Sequence, residues 1–141
     1  MVVKYIISEK GKAWRVEKED ESLFGKSVGE TFDGKDLAAE LEGYQLKING
    51  GSDISGFPLK EDVEGVGYKR LLLKRGWGMH DTREGVRIRK TVRGKVITNK
   101  IAQVNMVVVK AGKKALSEIF PEQNKPKEEA KKEEAKPAEA A

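Results

Sequence analysis

Few side chains in this sequence suit bond-making chemistry, and many suit the holding of an anion. There is one histidine, His80, and no cysteine. Nucleophilic catalysis needs a serine or thiol beside a base. Here that base would have to be His80 beside Asp81, and no serine stands in a nucleophile-elbow context. GWGMHD lacks the third glycine of a dinucleotide fingerprint, and the pattern GxxxxGK[ST] does not occur. One histidine without thiols is a poor zinc set. The carboxylates Glu17, Glu19, Asp20 and Glu21 lack the ordered spacing of a calcium loop, so a solvated loop is the simpler reading. The expectation is a chain that is no enzyme and uses no cofactor, metal or small-molecule substrate.

Phosphate recognition is the chemistry the residues do permit. The formal charge is +5 over 141 residues, but it is unevenly spread. Met1 to Gly65 holds 9 basic and 14 acidic residues, Val66 to Lys100 holds 11 and 2, and Ile101 to Ala141 holds 8 and 7. A central excess of this kind is the electrostatic footprint of a nucleic-acid binder, with a merely solvated basic face as the alternative. The candidates are Lys69, Arg70, Lys74, Arg75, Arg83, Arg87, Arg89, Lys90, Arg93 and Lys95. In an extended strand Arg87, Arg89, Thr91 and Arg93 share one face, spaced roughly 7 Å apart, on the scale of successive phosphates. Trp77, in the basic glycine-flanked loop RGWGMHDTREG, either stacks on an unpaired base or folds back as a plug on the body. Trp14, inside a β pattern, is assigned to the core.

Short strands must position these groups. Val2 to Ile7 and Ala13 to Val16 read as a hairpin around Lys10, Gly11 and Lys12. Asp36 to Leu41 reads as a helical turn or two ending at Gly43, and Tyr44 to Ile48 as a half-buried strand. Asn49 to Gly67 holds too many glycines for a regular element. Lys69 to Lys74, Arg87 to Arg93, Lys95 to Thr98 and Ala102 to Lys110 supply further strands, with Met106 to Val109 expected in a buried centre. Ala115 to Phe120 closes with a short helix. The pattern predicts a mainly β fold: a small β-barrel of about six to seven short strands with one or two short helices.

A single domain is expected over residues 1–120. From Pro121 to Ala141 no apolar residue exceeds alanine, so a disordered charged tail is expected, with Glu128 and Lys132 spaced for a helical pair. No stretch resembles a signal peptide or a membrane span, and the absence of cysteine fits a reducing interior, so a cytoplasmic location is expected.

Three runs carry a resemblance: KINGGSDISGFPLKEDVEGVGYKRLLLKRG, REGVRIRKTVRGKVI and VNMVVVKAGKKAL. From Val2 to about Phe120 the chain resembles the eukaryotic and archaeal small-subunit ribosomal protein S6e family. The most specific part is GGSDISGFP, with Gly50, Gly51, Asp53, Gly56 and Pro58 at the family's spacing; RKTVRG, Arg89 to Gly94, is the second match. The resemblance implies a structural constituent of the small ribosomal subunit, with a β-barrel docked on ribosomal RNA among neighbouring ribosomal proteins. Asp53 either contacts RNA or staples the loop internally. MHDTREGVRIRK is less basic than the family's usual stretch. The long basic C-terminal helix of eukaryotic members, with its phosphorylated serines, has no counterpart after Phe120, which looks like an archaeal form. Two other readings stand beside this one: a non-ribosomal RNA chaperone or processing factor with a β-barrel core, and an interaction module whose acidic first half meets a basic protein.

Overall fold

The computed structural model describes residues 2–19 and 21–124. Asp20 of the acidic patch, the Glu128 and Lys132 pair and the rest of the expected tail beyond residue 124 lie outside the described residues.

The strands are β1 (Val3–Glu9), β2 (Lys12–Lys18), β3 (Thr31–Asp33), β4 (Gln45–Asp53), β5 (Tyr68–Leu73), β6 (Ile88–Arg93) and β7 (Ile101–Lys110). Two 3₁₀ turns, Gly34–Asp36 and Ala39–Leu41, stand where a helical turn was expected, and helix α1 (Leu116–Ile119) closes the fold. β1 and β2 turn back through Lys10 (φ 48°) and Gly11 (φ 79°), both left-handed, which matches the twist of a two-residue hairpin.

The strands make two sheets, and the expected closed barrel does not form. Five strands lie in the order β2-β1-β7-β4-β3, with β1 and β7 parallel and the other pairs antiparallel. Among the described residues β5 and β6 form a two-stranded sheet that no other strand joins. A barrel needs an unbroken ladder around its circumference. Here the link between the sheets is two isolated bridges, Ser52 to Pro58 and Leu59 to Arg93. The open edge at β2 is met by side chains instead: Gln123 Nε2 donates to Arg15 O at 2.8 Å, and Asn124 Nδ2 to Ala13 O at 2.8 Å. Gln123 and Asn124 therefore pack on the body.

One face of the large sheet makes the core. Tyr5, Ile7, Leu46, Ile48, Ile101, Val104 and Met106 are fully buried under Leu23, Leu37, Leu41, Leu59, Ile97 and Leu116 from the connections. Each such side chain contributes roughly 1.5–3 kcal/mol. Trp14 is in this core, its Nε1 buried without a hydrogen-bond partner among the described residues. β7 is central but alternates: Met106 is buried while Val107 and Val109 are exposed, because the sheet's other face is uncovered. The expected strand Lys95 to Thr98 is not one. Val96 bridges Ser27 alone, and the segment's backbone bonds go to the loops at Val63, Gly65 and Lys26. Conversely, β4 runs on through Gly50 and Gly51 into the stretch expected to be loop. A second small cluster, Val63, Leu73 and Val92 with Leu71 and Met79, sits under the β5–β6 hairpin. Among the described residues no helix is long and apolar enough to cross a membrane.

Candidate nucleic-acid interface

The β5–β6 hairpin carries most of the predicted cations, and its register sorts them. Tyr68 faces Arg93, Arg70 faces Thr91 and Leu72 faces Arg89; the alternate pairs are Lys69 with Val92, Leu71 with Lys90 and Leu73 with Ile88. Directly opposed residues share a face. Val92 and Leu73 are buried on the second cluster, so theirs is the inner face. The outer face presents Arg70 and Arg89 to solvent beside the exposed Leu72. Arg87 lies one residue before β6 and is exposed, as are Lys69, Lys74 and Arg75; Lys90 is half-buried.

Arg93 keeps the strand face that periodicity gave it but is buried there instead of facing solvent. It is only 4% exposed, and its Nη1 donates to Asp53 Oδ2 at 2.6 Å while Nη2 donates to Thr98 Oγ1 at 2.8 Å. The Tyr68 hydroxyl also donates to Asp53 Oδ2, and Ile54 N–H donates to Asp53 Oδ1 at 2.6 Å. Burial alone would push the Asp53 carboxyl up. The hydrogen bonds from Tyr68, Ile54 and Arg93, with the guanidinium charge, outweigh it and hold the carboxyl below its ordinary value. The same bond raises the Tyr68 hydroxyl. Phe57 packs edge-on to Tyr68 at 5.4 Å.

Of the two roles open for Asp53, the geometry therefore gives the internal staple. The GGSDISGFP run is a strand end that turns sharply back: Asp53 N–H donates to Phe57 O, Gly56 N–H to Asp53 O, and Leu59 N–H to Gly51 O. Gly56 sits at φ 86°, where a side chain is strained, and a Cβ on Gly51 would lie 2.4 Å from Gln103 O. Alternation could not find the Arg93 pair, because it joins residues 40 positions apart.

Two more candidates are partly neutralised. Arg83 forks onto Asp81, with Nη2 to Oδ2 at 2.6 Å, and that hydrogen bond lowers the Asp81 carboxyl. Lys95 Nζ pairs with Glu64 at 2.7 Å. Asp81 is thus committed to Arg83, while His80 lines a cavity of about 470 Å³ with Lys90, Phe57 and Pro58. Lys69, Arg70, Lys74, Arg75, Arg87, Arg89 and Lys90 have no carboxylate partner among the described residues. Trp77, in the loop joining β5 to β6, is 47% exposed, with Lys60 Nζ over its ring at 4.7 Å. It is not a plug.

The result is a two-stranded ribbon with unpaired cations on its outer face and around its loop, anchored at its base by a buried ion pair. Such a surface can hold successive phosphates by charge and by arginine's paired donors.

Comparison with known proteins gives the same direction. The family model described as Ribosomal protein S6e matches residues 2–121. Small ribosomal subunit protein eS6 of Methanosphaera stadtmanae is 42% identical over 132 residues, covering 92% of this chain and 100% of that protein. The protein of the same name from Nanoarchaeum equitans is 45% identical over 124 residues, 86% of this chain and 91% of its own. That of Archaeoglobus fulgidus is 47% identical over 100 residues, 70% and 75%.

Proposed function

Because the chain belongs to the ribosomal protein S6e family, we propose that it is a structural constituent of the small ribosomal subunit that holds ribosomal RNA through the β5–β6 ribbon. The family is one of structural proteins, not enzymes. The observation that carries the RNA reading is the set of cations on and around the hairpin that lack a carboxylate partner among the described residues. A charge already paired internally contributes little to counterion release; an unpaired one exchanges its counterions for phosphate. Arg70 and Arg89 on the outer face, with Arg87, Lys74 and Arg75 beside them, are the phosphate contacts, and Lys69 and Lys90 flank them. Arg93 and Asp53 act beneath this surface, fixing the ribbon on the large sheet. The small-subunit setting comes from the relatives' shared name.

Two measurements on the full chain test this reading. Binding to naked ribosomal RNA should fall steeply with salt, because contacts to roughly 6–10 phosphates lose about three to five decades of affinity on duplex between 50 and 200 mM. Co-sedimentation with small subunits should persist in moderate salt. A flat salt response overturns RNA binding. Salt-sensitive binding to many RNAs without co-sedimentation would favour a free RNA chaperone instead.

A further inference from the structure

Gly50 has no structural reason to be glycine. Its φ is not in the left-handed region, and a Cβ built on it meets nothing within 4 Å. Most other glycines here are explained by a left-handed φ or by crowding, as Gly94 is against Gly65 O and Gly112 against the Tyr44 ring; Gly67, which lies outside the strands, is the other one with open space. A glycine inside a strand weakens it, and one that packing does not require accompanies a bulge, a tight bend or a close approach from outside the chain.

The ladder is also irregular at this point. Ile48 pairs with Met106 and Gly50 with Asn105, so Asn49 is left over as a bulge. Bulges re-aim side chains and recur beside binding sites. Gly50 and Gly51 form the floor of a hollow of about 260 Å³, whose walls include Asn49, Asn105, Pro58 and Trp77. Its lining carries no ionisable side chain. Gln103 Nε2 donates to Asn105 Oδ1 at 2.7 Å, which leaves the Asn105 Nδ2 hydrogens to donate elsewhere. Asn49 makes no hydrogen bond through its side chain among the described residues.

We infer that this hollow receives one unpaired nucleobase, stacked on Trp77 above the Gly50–Gly51 floor and read at its edge by Asn49 and Asn105. The inference rests on the RNA-binding reading and sharpens it. A neutral, partly apolar hollow with amide donors and acceptors suits a base and not a phosphate. Its volume lies below the roughly 300–1,000 Å³ of sites for larger ligands, so one planar ring system fits. Lys74 and Arg75, just before Trp77 in the chain, are the groups for the adjoining phosphates. Glu61 and Asp62 line a neighbouring hollow that shares Asn49, Leu59 and Trp77 with this one. Their charge keeps the backbone away from that hollow, so the strand approaches from the hairpin. Lys60 covers one face of the indole, and the base takes the other.

The test uses the full chain and two probes: a short oligoadenylate, and the same strand annealed to oligouridylate. Oligoadenylate should quench the emission that distinguishes the wild type from Trp77→Phe, and the duplex should not. Gly50→Val, which fills the floor at a strand position open to a β-branched side chain, should weaken oligoadenylate binding roughly 5- to 150-fold and leave duplex binding unchanged. Trp77→Ala, in the loop joining β5 to β6, should do the same. Equal quenching by both probes, or unaltered oligoadenylate binding by both variants, overturns the base pocket alone. Absence of binding to either RNA overturns the RNA reading itself, and the pocket with it.

Discussion

Replacing Arg93 with methionine should cost stability out of proportion to the replacement of any other arginine on the hairpin. The Arg93 and Asp53 side chains are 4% and 2% exposed, and their atoms are 2.6 Å apart. Removing the guanidinium strands a carboxylate that keeps only the bonds from Tyr68 and Ile54 N–H. Breaking one side of a buried pair costs about 3–5 kcal/mol. For a fold of this size that lowers Tm by about 10–20 °C. Arg89→Met, on the outer face of the same strand, should stay within about 0.5 kcal/mol of wild type. The double variant Arg93→Met with Asp53→Leu should recover most of the loss, because Arg93 Nε is buried without a partner and the pair is incompletely satisfied even in the native state. Thermal and urea denaturation of the four proteins reads all of this. If Arg93→Met melts as close to wild type as Arg89→Met does, the buried anchor is not what fixes the ribbon.

The acid limb of stability should report the same carboxylate. Asp53 sits below its ordinary value of about 3.9 in the folded chain, so its contribution is complete above about pH 3.9 and is lost as pH falls through the lower folded value. The Tm gap between wild type and Asp53→Asn should therefore be constant near neutrality and narrow below about pH 4; a gap that persists in acid would contradict the pairing. Replacing Arg70, Arg87 and Arg89 together with alanine should leave Tm unchanged and lower the slope of log affinity against log salt by roughly two to three, measured on ribosomal RNA. An unchanged slope would mean the ribbon faces water. Gly94→Ala would set a Cβ 2.0 Å from Gly65 O, a backbone atom, and should cost about 1–3 kcal/mol or more. Gly67→Ala, with nothing within 4 Å, should cost far less in the same melts.

Local pattern fixed what depends on neighbours along the chain. β-branched residues around a turn located β1 and β2, an apolar run with basic ends located β5, and alternation located β6 and the core side of β4, because the two faces of a strand differ in solvent. The charge excess between Val66 and Lys100, the loop position of Trp77 and the S6e motif around GGSDISGFP were legible because they too are local to the sequence. What the sequence could not decide was which strands close on which. A barrel and a pair of sheets share the same alternation and differ only in the pairing of distant edges, and here β2 is met by Gln123 and Asn124 rather than by another strand. Arg93 has the same local signature as Arg89. Only the arrival of Asp53 from the end of β4 draws it inward, because a buried guanidinium needs a carboxylate, and proximity across 40 residues is a property of the folded chain. The bare floor at Gly50 is likewise a tertiary fact: a glycine in a sequence does not say whether its missing side chain makes room for the protein or for something else.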